Sequence, residues 1–402
     1  MKKILALMLA VLMMFAVTAC GGDSSNDKSK DSGDKLKVGF IFLHDQNSTY
    51  DKNFIDAANA VAAKLGLTAD QVVMKTNIPE GDECYVAATE LVAEGCDLIF
   101  ADSFGHEPYM IQAAQEFPNV QFCHATGTKS QTVNLKNYHN AFASIYEGRY
   151  LAGIAAGMKL NEMIADGKFT AEEAKMGYVG AFPYAEVISG FTSFYLGAKS
   201  VCPTVTMEVK YTDSWFSITS ENTAATALIQ SGCKLISQHA DSSGAPSACE
   251  EAGVPNVAYN VDTSNIGPTT AIISSKISWE PYFEYIINCV MKGEAIDTDW
   301  TGTISSGSVQ LTALNTAVAA EGTQEAIDAA KAKLISGELK VFDTSTFTVN
   351  GAELTTYTAD VVDNGDYVPE TEAIVDGRFI ESELRSAPYF NVIIDGITAP
   401  HD

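Results

Sequence analysis

The chain has 402 residues, 46% of them hydrophobic and 9% aromatic, with 51 acidic against 25 basic side chains and a formal net charge of −26. A field of that sign repels nucleic acid and anionic lipid, which excludes a polynucleotide partner and leaves a small neutral or cationic solute compatible. The apolar content is enough for two domains with cores of their own.

Lys2 and Lys3 precede an unbroken apolar run from Ile4 to Val17. As a helix that run rises only about 21 Å, too short to span a bilayer comfortably, and it has the pattern of a secretory h-region. Val17-Thr18-Ala19-Cys20 resembles a bacterial lipobox. Residues 1–19 are therefore predicted to be a lipoprotein signal peptide, with Cys20 the lipidated N-terminus. Residues 20–35 are Gly, Ser, Asp, Asn and Lys, a composition that cannot bury enough apolar area to fold, and they are expected to act as a tether.

From Leu36 onward short β-rich runs alternate with amphipathic stretches. Val38–Leu43 is predicted as a strand and Asn53–Leu65 as a helix, with Phe54, Ala58, Val61 and Leu65 on one stripe. Further strands are predicted at 97–102 and 120–125, with a helix between them. The cycle restarts after "YEGRYLAGIAAGM" with strands at 176–182, 206–212, 234–240 and 256–261, separated by helices. Strands buried on both faces and spaced by helices imply doubly wound parallel sheets, in two similar α/β lobes. Trp279–Gly293 and Gln324–Ser336 are predicted helices, each closed by glycine. "FTVNGAELTTYTA" alternates around Asn350-Gly351 and reads as a hairpin; the tail from Tyr367 to Gly396 also reads as β-rich.

In open α/β sheets, ligands bind outside the carboxyl ends of the strands. The residues following the predicted strands are His44 to Tyr50, Asp102-Ser103-Phe104, His124-Ala125-Thr126, Phe182-Pro183 with Glu186, Asp213 to Phe216, His239 with Asp241 and Ser242, and Asn260 with Asp262. Polar groups at each strand end, often beside an aromatic ring, suit a planar nitrogen heterocycle, which has apolar faces and donor-bearing edges. The bland alternative is that such residues are turn formers and helix caps.

Other chemistries find little support. Eight cysteines include no CxxC and no zinc spacing, and Cys96, Cys123, Cys233 and Cys289 sit in apolar segments as small buried hydrophobes. Lipidation of Cys20 leaves seven, an odd number that cannot pair completely. GxSxG, HExxH, P-loop and GxGxxG motifs are absent, so no catalytic residue, metal or cofactor is predicted.

The ordered segments "YEGRYLAG", "GAFPYAEVISGFTSFYLGAKSV", "DSWF" and "QHADS" resemble the basic-membrane-protein family of lipoproteins, over about Leu36 to Val341. The resemblance implies a type I periplasmic-binding-protein fold, two α/β lobes joined by three crossovers, here followed by a C-terminal β-rich extension. It implies an extracellular substrate-binding lipoprotein of an ABC importer, held to the cell membrane by its lipid and acting as a monomer with an ABC permease. The implied ligand is a heteroaromatic purine base or nucleoside; riboflavin, a sugar, or ligand presentation to a sensor are the alternatives. By motif position Tyr50, Phe104, Phe182 and Trp215 are implied ring contacts, with Asp241 and Asp262 as edge acceptors. Lys276 stands about where nucleoside-binding relatives place a ribose-contacting lysine. Ser103, Glu186, His239, Ser242 and Asn260 complete the predicted site. The first loop, "HDQNSTYDKNF", departs from the "DKSFN"-type loop of nucleoside binders, and "DSWF" marks a branch associated with free bases. The predicted first lobe is 36–130 with about 265–305, the second 131–264, and the return segment and extension 306–402. Crossovers are expected near 126–140, 261–268 and 300–312.

Overall fold

A computed structural model describes residues 35–401. The signal peptide, the lipidation site at Cys20 and nearly all of the tether lie outside the described residues.

The first sheet is built from β1 (Val38–Ile41), β2 (Val72–Lys75), β3 (Leu98–Ala101), β4 (Gln121–His124) and β5 (Tyr138–Ala143). Helices α1 (Thr49–Leu65), α2 (Asp82–Ala93) and α3 (Glu107–Glu116) alternate with these strands. The longest helix, α4 (Ile145–Ala165), then leads into the second lobe. Its strands are β6 (Lys175–Gly180), β7 (Thr206–Tyr211), β8 (Leu235–His239), β9 (Asn256–Tyr259) and β10 (Ala271–Ile277). Helices α5 (Ala185–Val201), α6 (Ile218–Gln230) and α7 (Gly244–Ala252) separate the first four. The chain returns through α8 (Glu280–Lys292) and β11 (Asp299–Gly302), then β12 (Val309–Leu311) and α9 (Thr323–Ser336). Beyond these come β13 (Thr358–Ala359), β14 (Thr371–Glu372), β15 (Ile374–Val375), β16 (Arg378–Phe379) and β17 (Ile397–Thr398).

Two separate sheets result, in the orders β11-β5-β4-β3-β1-β2 and β12-β10-β9-β8-β6-β7-β17. All pairings in the first are parallel; in the second only β12 runs against its neighbour, β10. Each lobe is thus a doubly wound sheet with its strand carboxyl ends along one edge. The fold is the type I periplasmic-binding architecture.

Sheet membership moves two predicted boundaries. Tyr138–Ala143 joins the first sheet, so the chain first leaves that lobe at Ser144 rather than near 126–140. Ala271–Ile277 joins the second, so the return falls at Ser278 rather than near 261–268. Neither strand is legible as a β run: "YHNAFA" carries His and Asn, and "AIISSKI" carries two serines and a lysine. Sheet partners satisfy their backbones and burial covers their faces. The third passage, between β11 and β12, falls within the predicted 300–312.

The first lobe is filled by a ring cluster. Phe54 of α1 stacks on Trp279 at 4.3 Å, and Phe283 of α8 lies edge-on to Phe40 and Phe100 of the sheet. In the second lobe α4 and α5 cross at glycines. A Cβ on Gly153 would lie 2.0 Å from the Phe194 carbonyl oxygen, and one on Gly197 would lie 2.0 Å from that of Tyr150. Only bare backbones approach so closely. All seven cysteines among the described residues are free and buried.

The predicted hairpin is reduced to its tip. Asn350 and Gly351 both take positive φ, and one antiparallel bridge links Val349 to Ala352. The chain then separates, and β13 pairs with β14 instead. The extension's own strands, β13 to β17, are two residues each.

Candidate functional site

The loop after β1 is fixed by local hydrogen bonds. Ser48 caps α1, its hydroxyl accepting from the Asp51 N–H, while the Asp51 carboxylate accepts from the His44 backbone at 2.7 Å and from the Ser48 hydroxyl at 2.5 Å. Tyr50, in the first turn, donates its hydroxyl to the Asp102 carbonyl at 3.0 Å and meets Phe54 edge-on. Asp102, at the end of β3, accepts from the Leu43 N–H. Ser103 and Phe104 follow it, and Thr126 follows β4.

The second lobe presents the matching strand ends. Glu186 lies in the first turn of α5, and its carboxylate is 3.3 Å from Nε2 of His239 at the end of β8. Tyr259 ends β9, its ring 4.9 Å from that of His239. Behind it Arg149 of α4 is buried, its guanidinium 3.6 Å over the Tyr259 ring and bonded to the Gln238 carbonyl. Trp215, in the loop after β7, accepts from the Asp241 N–H through its carbonyl.

Between these two edges lies a small cavity. From the first lobe Leu43, His44, Tyr50, Asp51, Ser103, Phe104 and Thr126 line it. From the second, Glu186, Trp215, His239, Asp241 and Tyr259 do so. The lobes meet beside it. The Thr49 N–H donates to the Asp241 carbonyl at 2.9 Å, and Asn53 Nδ2 donates to Asn260 Oδ1 at 3.2 Å.

Seven predicted residues reach this cavity: Tyr50, Ser103, Phe104, Glu186, Trp215, His239 and Asp241. Five do not. Phe182 stands behind Trp215, edge-on at 5.2 Å, and stacks on Tyr184. Ser242 turns away, its N–H bonded to Glu221 and its hydroxyl capping Gly244. Asn260 is buried beneath, donating to Asp241 Oδ1 at 3.2 Å, and so positions a lining carboxyl. Asp262 is exposed and folds onto the Ser264 N–H. Lys276 lies within the β10–β12 pairing.

Sequence reasoning left Leu43, His44, Asp51, Thr126 and Tyr259 out of the predicted contacts. His44 and Thr126 stand at strand ends, where the geometric rule points. Asp51 stands three residues after Ser48, the spacing of a helix cap, and its carboxylate accepts from the Ser48 hydroxyl and the His44 N–H. Tyr259 was hidden as the last residue of a buried strand.

Electrostatics follow from burial. Glu186 is pushed up to about 7, chiefly by burial, with Arg149 opposing. Asp241 is raised well above the carboxylate range by burial and then by the charges of Glu221, Asp51 and Glu186. Asp102 is raised by burial and by Asp51. Burial also pushes Asp51 upward, but hydrogen bonds from His44 and Ser48 outweigh it and hold the carboxyl low. His239 is held neutral by burial and by Arg149. The walls therefore offer both acceptors and acid protons beside aromatic faces. No cluster of metal-ligating side chains occurs among the described residues.

The family described as ABC transporter substrate-binding protein, PnrA-like, matches residues 42–345. The chain belongs to this family. It is 31% identical over 313 residues to a purine-binding protein of Brucella abortus (strain 2308), covering 77% of this chain and 83% of that one. A putative ABC transporter glucose-binding protein of Haloferax volcanii is 32% identical over 260 residues, covering 64% of this chain and 62% of that one. A solved ABC transporter solute-binding protein of Aeropyrum pernix K1 shares the fold, with a TM-score of 0.63 at 18% identity over 77% of this chain and 93% of that one. As a PnrA-like protein the chain is a solute-binding component of a transporter, not an enzyme. Among the described residues no helix is long and apolar enough to cross a membrane.

Proposed function

We propose that the chain captures a purine base or nucleoside between its lobes, as the lipid-anchored extracytoplasmic receptor of an ABC importer. The observation that carries this reading is the cavity wall: the rings of Tyr50, Phe104, Trp215 and Tyr259 stand with the carboxyls of Asp51, Glu186 and Asp241 around one space. A purine has flat apolar faces for the rings, and edges mixing ring nitrogens with N–H groups. A carboxyl held near neutrality can donate to a ring nitrogen and accept from the neighbouring N–H. The purine-binding relative from Brucella supports the same ligand class.

Capture follows from the two-lobe geometry. A ligand that touches both edges favours the closed arrangement by its differential affinity for it. The closed monomer then presents a joint surface to an ABC permease, with Cys20 holding it at the cell membrane.

A second reading, sugar binding, is favoured by the Haloferax relative and by the rings, since sugars also pack on aromatic faces. Titration calorimetry against adenine, guanine, hypoxanthine, their nucleosides and glucose separates the two. Purine binding is expected. Glucose binding with no response to any purine would overturn the reading. Radiolabelled palmitate should enter the wild-type protein and not Cys20→Ser if the anchor is lipid.

A further inference from the structure

The family match ends at residue 345, and the segment that follows is laid across both lobes. On the first lobe Thr128 donates its hydroxyl to Asp363 at 2.5 Å, Thr132 donates to the Asp363 carbonyl, and Ser386 bonds to both Asp299 and Asn140. On the second lobe Ser189 of α5 donates to Glu381 at 2.5 Å, and β17 extends the sheet beyond β7. The stretch from 357 to 391 thus stands at the cleft rather than trailing from the body.

This stretch walls an outer compartment of about 630 Å³. Four residues, Phe104, Thr126, Glu186 and Trp215, line both this compartment and the inner cavity, so the two adjoin. The extension contributes Tyr357, Asp360, Tyr367, Arg385 and Tyr389 to the outer wall, facing Tyr184 of the second lobe and Thr128 of the first. Two features distinguish this wall from packing filler. Asp360 Oδ1 is buried with no hydrogen-bond partner among the described residues. Tyr367 is 75% exposed and has a φ of 54°, so a large ring is held in water on a backbone conformation that side chains resist. Aromatic faces alternating with carboxylate, amide and hydroxyl groups are the lining that hydroxylated chains and rings require.

We propose that the outer compartment is a second subsite, built by the C-terminal extension, which holds a hydroxylated arm attached to the heterocycle. This rests on the inner cavity being the heterocycle site. The preferred ligand is then a ring that carries such an arm, and the extension, not the family core, selects for it. The Asp360 carboxylate accepts from the arm's hydroxyls, and Tyr367 packs over it.

The test uses the full chain and ligand pairs that share a ring: adenine with adenosine, guanine with guanosine, and lumichrome with riboflavin. Calorimetry should show the armed member of the best-bound pair about tenfold tighter than its bare ring. Asp360→Asn and Tyr367→Ala should each remove most of that preference and leave the bare ring within about twofold. A wild-type protein that binds the bare ring as tightly as the armed one overturns the subsite while the heterocycle reading stands. So do variants that weaken both members alike. Failure of every pair to bind removes the heterocycle reading itself, and the subsite with it. Melting curves on both variants establish that they fold; Tyr367 is exposed enough that its truncation leaves the core untouched.

Discussion

The backbone N–H of Thr49 donates to the backbone carbonyl of Asp241 across 2.9 Å. One residue opens α1 of the first lobe and the other follows β8 of the second. The contact places a lining carboxyl of one lobe beside the helix that carries Tyr50 in the other. Asn260 reinforces it, reaching Asp241 Oδ1 at 3.2 Å and Thr49 Oγ1 at 3.4 Å while accepting from Asn53.

Asn260→Ala should therefore weaken closure. The change strips Asp241 of its amide partner and leaves buried groups on both lobes unpaired, a cost of about 1–3 kcal/mol in ligand affinity. Asn260 has a φ of 69°, so Asn260→Gly separates backbone strain from lost hydrogen bonds. Equal affinity losses in both variants, read by calorimetry, are expected if the hydrogen bonds matter; full affinity in the glycine variant would assign the effect to strain.

Trp215→Ala should cost about 1–3 kcal/mol of affinity for a purine, the usual scale of a base stacking on an aromatic ring. The same variant should keep its melting temperature, because Trp215 is half-buried at the cavity wall rather than in the core. Fluorescence titration of the two remaining tryptophans, Trp279 and Trp300, checks binding. Unchanged affinity would remove Trp215 from the site.

Glu186→Gln should change the pH profile of stability. Burial raises this carboxyl from 4.5 to about 7, so the folded state favours the protonated form. Its stabilising share is present below pH 4.5 and is lost as pH rises through 7, by up to about 3 kcal/mol. A glutamine does not ionise. The melting temperature of the variant relative to wild type should thus rise between pH 5 and pH 8. A flat difference would show that Glu186 is not held protonated by its surroundings. The profile of wild type alone is less informative, since burial lowers the pKa of His106 and His139 to about 4 and adds a loss of stability on the acid side.

Gly153→Ala should be costly although alanine favours helices. The new methyl would meet the Phe194 carbonyl, a backbone atom that moves only if α5 shifts. Overpacking of this kind costs about 1–3 kcal/mol or more, outweighing a propensity gain of about 1 kcal/mol. Chemical denaturation checks the sign; a stabilised variant would show that the α4–α5 crossing is looser than its geometry.

Sequence by itself determined the alternation of buried strands and amphipathic helices, because period and composition are local and each βα unit carries its own signal. It also determined that the strand ends would hold the polar and aromatic groups, since a doubly wound sheet leaves its carboxyl edge open. Tyr50, Glu186, Trp215 and Asp241 were legible on that rule. Tertiary structure alone decided the rest. Whether "YHNAFA" and "AIISSKI" are strands depended on sheet partners distant in sequence, and so did the points where the chain changes lobe. The inward placement of Tyr259 and the withdrawal of Asp262 depended on how two lobes meet. The position of the extension beside the cleft depended on hydrogen bonds to residues more than 200 positions earlier, such as Thr128 to Asp363. Contacts between distant segments are set by the summed packing of the whole chain, and no short window of sequence contains them.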